Sequence, residues 1–259
     1  MTLATASLAS ALGIAAAMLA LWLLSLRLRD ASIVDIFWGA GFAGVGLGCA
    51  LAGDGFATRR LLVGGLAALW GLRLAFYLFQ RNHGNGEDPR YQSMRRRNSD
   101  NFAVWSLINV FALQGALMWF ISLPLQVTAT AATPTALGVL DVLGLVFFAI
   151  GLGFEAVGDA QLARFKADPA NAGKVMDQGL WAWTRHPNYF GDACVWWGFY
   201  CFALATGAWW AVVSPIVMTF FLTRVSGVPI LERRMARTRP GYAEYAARTS
   251  GFFPLPPRR

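Results

Sequence analysis

Residues Leu137 to Asp159 read Leu-Gly-Val-Leu-Asp-Val-Leu-Gly-Leu-Val-Phe-Phe-Ala-Ile-Gly-Leu-Gly-Phe-Glu-Ala-Val-Gly-Asp. A helix needs roughly 20 apolar residues to cross the hydrocarbon core of a bilayer, and this run supplies them. Its acids gather at the ends: Glu155 and Asp159, four apart, share one face of the last turn, while Asp141 stands near the first and reads as interfacial.

Working outward, six more runs have the same character. They extend from Leu3 to Leu26, Ser32 to Ala52, Leu61 to Phe79, Phe102 to Leu125, Tyr189 to Thr206 and Trp209 to Leu231. The sequence therefore predicts an all-α, polytopic membrane protein of seven transmembrane helices, folded as one domain over residues 1–259. The whole composition agrees. The chain is 56% hydrophobic and 14% charged, with eleven Trp and nineteen Phe, and its mean hydropathy is +0.47. Lipid and headgroups accommodate such an aromatic load better than water does. The first run is read as a retained span because further spans follow it.

Basic residues set the orientation. Arg27 and Arg29 follow the first run; Arg81, Arg90, Arg95, Arg96 and Arg97 the third; Arg164, Lys166, Lys174 and Arg185 the fifth; seven arginines follow the seventh. These segments alternate, so they share one side, and the positive-inside rule makes that side cytoplasmic and the N-terminus external. The net charge of +8 is thereby explained by topology, and no nucleic-acid partner is needed. Cys49, Cys194 and Cys201 lie within apolar runs, far from any second soft ligand, which predicts buried thiols with neither disulfide nor metal site. Gly41, Gly44 and Gly48 are small enough to let helices approach closely.

Ionisable groups inside a bilayer are costly, so each is a functional candidate. They are Asp35, Arg73, Glu155, Asp159, Asp192 and Arg224, joined by Asn109 and Gln114, and nearly all fall in the cytoplasmic half of their spans. An ion-pair network would account for any one of them. Their common bias towards one leaflet suggests a cavity open to the cytosol and roofed by apolar helices.

Two polar segments sit on that side. Arg81-Asn82-His83-Gly84-Asn85-Gly86-Glu87-Asp88-Pro89-Arg90-Tyr91, followed by Arg95-Arg96-Arg97, combines turn residues with guanidinium groups suited to phosphate. Glu87, Asp88 and Tyr91, interleaved with the arginines, set it apart from a simple positive-inside loop. Gly179-Leu180-Trp181-Ala182-Trp183-Thr184-Arg185-His186-Pro187-Asn188-Tyr189-Phe190-Gly191-Asp192 places Arg185 and His186 just before the sixth span, where anions are favoured. A lone His there is more often a cap than a catalyst. The cofactor site is expected from loops 80–101 and 160–188 and the tail 232–259. The usual dinucleotide fingerprint is missing, since Gly44-Val45-Gly46 and Gly151-Leu152-Gly153 both lie within spans.

The segment Arg185 to Asp192, preceded by Gly179-Leu180-Trp181 and followed by a basic, Tyr-bearing tail, resembles the steroid 5α-reductase superfamily, especially its bacterial branch. The resemblance covers almost the whole chain, most clearly from Leu61 onward. It implies a monomeric enzyme of the bacterial inner membrane, with its cofactor site facing the cytosol. That enzyme takes hydride from NADPH to the β-carbon of a conjugated ketone, such as a 3-oxo-Δ4 steroid entering from the lipid. By the same resemblance, Arg73, Asn82, Asp159, Lys166, Asn188, Asp192 and Arg233 occupy the places of cofactor contacts. Glu87, Asp88, Arg90, Tyr91, Arg95, Arg185, His186, Tyr189, Tyr242 and Tyr245 are added to them. Asp35 stands in for the family's carboxylate, the acid that hydride addition requires at the carbonyl oxygen. The third-span Tyr of mammalian 5α-reductases is replaced by Trp70, so Tyr77, two turns later, is its substitute; Trp38, Phe37 and Trp70 would lie against the substrate. Arg-His-Pro also occurs in isoprenylcysteine carboxyl methyltransferases, which use S-adenosylmethionine. That alternative lacks the phosphates that so many arginines would neutralise. A transporter would show paired broken helices in two related halves.

Overall fold

A computed structural model describes residues 1–225 and 227–258. Among them every regular element is helical, and the one strand-like pairing is a single parallel bridge between Thr184 and Ser250. The chain forms two compact units. One comprises Met1–Leu137 with Phe202–Ala211, the other Gly138–Cys201 with the chain from Val212 onward.

The first unit contains α1 (Leu3–Leu28), α2 (Ile33–Ala52), α3 (Ala57–Asn82), α4 (Pro89–Arg97), α5 (Phe102–Ile121) and α6 (Leu123–Thr130). Thr2 caps α1 by accepting the amide of Thr5, and Arg29 ends it in the left-handed region (φ 54°), donating its amide to the carbonyl of Ser25. The tightest packing is between α2 and α3. A Cβ on Gly39 would strike the carbonyl of Gly71, and one on Gly46 would lie 2.6 Å from the Cβ of Ala67. Gly39 and Gly46 are seven apart, hence on one face. Gly44 and Gly48 instead meet open space, and Gly41 faces the Met118 side chain. The close approach thus uses different glycines from those whose spacing first suggested it.

Within α5, residues Leu107–Ala112 form a π turn, which admits an extra residue and rotates everything downstream. Arg59 of α3 is entirely buried and donates to the carbonyls of Pro134 (2.8 Å) and Ala136 (2.7 Å), beyond α6. It therefore closes a chain reversal.

The second unit holds α7 (Val139–Ala167), α8 (Pro187–Ala205) as far as Cys201, α9 (Val213–Phe220), α10 (Val228–Thr238) and α11 (Tyr242–Arg248). Asp141 is buried and accepts the Gly138 amide at 2.8 Å, closing the first turn of α7. Gly151 of α7 faces Gly191 of α8, and Gly144 faces Gly198.

Among the described residues, six segments are long and apolar enough to span a membrane: α1, α2, α3, α5, α7 and Trp209–Thr238. Their outward faces are apolar. In the best window of α1 only 17% of residues are buried, and Leu8 (60% exposed) and Leu12 (63%) point outward. Such surface is stable in lipid and costly in water, so the protein is a helical membrane protein. The run Tyr189–Thr206, expected as a seventh span, forms the 19-residue α8. It falls short in apolarity because Asn188, Asp192 and its Trp and Tyr residues dilute the aliphatic content.

Candidate functional site

The polar groups of the first unit converge on the start of α2. Asp35, one turn into the helix, is bound on both oxygens: Arg90 Nη2 donates to Oδ2 at 2.7 Å and the Tyr91 hydroxyl donates to Oδ1 at 2.6 Å. Tyr91 in turn accepts from Gln114 Nε2 of α5 at 3.2 Å. Arg90 and Tyr91 are delivered by α4, which begins at Pro89 and is capped by Asp88 through the Arg90 amide (2.8 Å). Asp88 also receives Arg90 Nε at 3.0 Å, and its own amide donates to Ser32 Oγ at 3.3 Å. Glu87 accepts the Ala31 amide (2.9 Å) and grips Arg95 at both Nε (3.0 Å) and Nη2 (2.7 Å). The Arg95 guanidinium lies 4.1 Å above the Phe102 ring. Glu87 and Arg95 therefore pin the polar loop onto the N-terminal end of α2.

The electrostatics follow from this geometry. Burial pushes the Asp88 carboxyl up, but the Arg90 side chain and amide more than reverse it and hold the group below the usual carboxylate range, with Arg81 contributing. Burial disfavours the Arg90 cation, yet Asp35 and Asp88 raise its affinity for the proton well above the ordinary guanidinium value. Burial, reinforced by the charge and hydrogen bond of Asp35, holds the Tyr91 phenol well above its ordinary value. A protonated phenol thus sits between a carboxylate and an amide, with a guanidinium 2.7 Å from the carboxylate's other oxygen.

Other expected residues surround this core. Tyr77 lies between two guanidinium groups, Arg73 at 5.9 Å and Arg81 at 6.0 Å from its ring. Trp38 packs edge-on against Phe42 at 5.1 Å, and Phe42 meets the fully buried Trp70 at 5.9 Å; Phe37 is half-buried beside Gly41. Asn82 accepts from Arg81 Nε at 3.1 Å, while its buried Nδ2 has no partner among the described residues. An apolar groove of about 310 Å3 runs between α1 and α5, walled by Ile14, Met18, Phe111, Gly115 and Trp119. Gly115 adjoins Gln114, so one helix serves both the groove and the polar cluster.

The second unit builds a different constellation around Arg185. Its Nε donates to Glu232 at 2.7 Å and its Nη1 to the carbonyls of Ala246 and Thr249, each at 2.8 Å. His186 lies 3.2 Å from the same Glu232 oxygen and stacks on Tyr189, with centroids 5.5 Å apart. Tyr245 donates to the Trp181 carbonyl at 2.7 Å. Burial, together with the Glu232 charge, pushes the Tyr242 phenol up to about 12. Burial likewise raises Tyr245. Asn188 Nδ2 donates to the buried Asp159 at 3.4 Å, and Asp192 is also buried, whereas Lys166 and Arg233 are exposed. Arg185 and His186 thus hold the C-terminal segment against the start of α8.

Three participants escaped the sequence reading: Ser32, Gln114 as a partner of Tyr91, and Glu232. Glu232 carried a signal, being an acid placed immediately before Arg233 and Arg234.

Apolar helices of membrane-spanning length, with an acid, a phenol and a guanidinium gathered at the start of one of them, define a membrane protein with a built polar cluster. The chain belongs to a family described as a protein of unknown function (DUF1295), whose model matches residues 21–249. It is also similar to the uncharacterized protein C594.04c of Schizosaccharomyces pombe, with 25% identity over 267 residues, covering 90% of this chain and 75% of that one. No solved structure matches.

Proposed function

We propose that this protein reduces the C=C bond of a conjugated enone in a lipophilic substrate, a 3-oxo-Δ4 steroid being the model, with NADPH as reductant. The observation that carries the reading is the Tyr91–Asp35 hydrogen bond of 2.6 Å, flanked by Arg90 and Gln114. Adding hydride to the β-carbon places negative charge on the carbonyl oxygen, and a positioned proton donor lowers that barrier by roughly 10²–10⁴ in rate. One proton lies between Tyr91 and Asp35. Passing to the enolate, it leaves a negative charge that Arg90 is placed to stabilise.

NADPH, when bound, would supply the hydride. The orphaned Asn82 amide and the exposed Arg96 and Arg97 suit its polar and phosphate groups. The groove between α1 and α5 suits a greasy substrate entering from lipid. In this reading α8 completes a seventh span, the N-terminus is external, and the polar loops face the cytosol of a bacterial inner membrane.

The test is loss of NADPH absorbance by the purified protein in detergent with a 3-oxo-Δ4 steroid, with the saturated ketone identified by mass spectrometry. Binding of labelled S-adenosylmethionine without binding of NADPH would replace this reading with a methyltransferase.

A further inference from the structure

The segment after α11 encloses something the enone chemistry does not use. A polar cavity of about 200 Å3 lies between the end of α11 and the returning tail, lined by Arg185, Arg248, Thr249, Ser250, Gly251 and Arg258. Three arginines thus line one small space. Arg185 is paired with Glu232 and Arg248 with Asp177, while the exposed Arg258 has no carboxylate partner among the described residues. Its amide, donated to the Arg248 carbonyl at 2.9 Å, nonetheless fixes its backbone at the rim.

The surroundings are basic and greasy together. From Val228 to Arg258 the chain has six arginines against two acids, Glu232 and Glu244. Beside the cavity, Leu255 donates its amide to the Trp183 carbonyl at 3.0 Å, and Trp183 (47%), Phe253 (65%) and Leu255 (52%) are all exposed. Large apolar side chains around an arginine pocket, just past the span-length segment ending at Thr238, match a headgroup layer: phosphate at the guanidinium groups, hydrocarbon against the rings. Size narrows the ligand further. Drug-sized molecules occupy roughly 300–1,000 Å3, so a dinucleotide does not fit whereas a phosphate ester does.

We propose that this cavity binds the phosphate of an anionic membrane phospholipid, docking the C-terminal segment to the bilayer surface. The site shares no residue with the Asp35 cluster and stands whether or not the protein is a reductase.

The experiment titrates the full-length protein in neutral detergent with short-chain phosphatidylglycerol, phosphatidylcholine of the same chain length, or inorganic phosphate, reading thermal unfolding and native mass spectra. The expected result is one retained phosphatidylglycerol and a raised Tm, no such shift with phosphatidylcholine or phosphate, and affinity about tenfold weaker in Arg258→Gln. Arg248→Gln could loosen the Asp177 pair and misfold; Arg258→Gln, at an exposed side chain, avoids this. Equal binding of both lipids, an equal response to inorganic phosphate alone, or undiminished affinity in Arg258→Gln would each overturn the proposal.

Discussion

The Tyr91 hydroxyl donates to Asp35 Oδ1 across 2.6 Å, joining the start of a span-length helix to a short surface helix 56 residues further along the chain. If this pair delivers the proton, Asp35→Asn and Tyr91→Phe each lower kcat by about 10²–10⁴ while NADPH still binds. Tyr77→Phe, at a ring held between Arg73 and Arg81, leaves most of the rate. Steady-state kinetics paired with equilibrium cofactor binding decides it, and unchanged rates in Asp35→Asn would remove that residue from the mechanism.

Arg95 tests whether a guanidinium serves fold or ligand. Both Nε and Nη2 are held by Glu87, so Arg95→Ala should expose 83–101 to faster hydrogen exchange and weaken NADPH and NADH alike. A selective loss of NADPH would assign it instead to the 2′-phosphate.

Acid sensitivity should arise at Asp88. Its folded pKa lies below the unfolded value, so its contribution to stability is present above about pH 4 and is lost as pH falls through the folded pKa. Asp88→Asn should flatten the acid limb of a Tm-against-pH profile; an unaltered limb would place the sensitivity elsewhere.

Gly39 admits the backbone of α3. Gly39→Val must push α2 and α3 apart and should lower stability by about 1–3 kcal/mol, whereas Gly44→Ala, facing open space, should be nearly neutral. Comparable Tm values for the two variants would refute the close contact.

Arg185 ties α10 to α11 and to Thr249 just after it, through Glu232 and two carbonyls. Arg185→Gln should make 249–258 an early target of limited proteolysis. Resistance equal to that of the parent protein would show that the segment is held by other means.

Much of the architecture could be read from the chain because a membrane helix announces itself by length and apolarity, and six of the seven expected runs meet both conditions. The seventh has the length, but its Asn, Asp and aromatic residues dilute its aliphatic content. The polar cluster was legible only as an inventory. Asp35, Arg90 and Tyr91 were each noticed, one for lying inside a span and two for their loop. Nothing in linear spacing says that α4 folds back onto α2, because that return depends on Glu87 meeting the Ala31 amide and Asp88 meeting Ser32. The glycines illustrate the same gap: several faces of α2 are small, and only the partner helix chooses among them.

The π turn at Leu107–Ala112 has a consequence for how such a site could diverge. An α-helix advances about 100° per residue, so loss of the one surplus residue would swing Gln114 off Tyr91 and bring a different side chain to the phenol, without any substitution at the site. Relatives that differ by a single deletion in this stretch would then carry the same acid and phenol under a changed partner, which makes chain length here a determinant of chemistry in its own right.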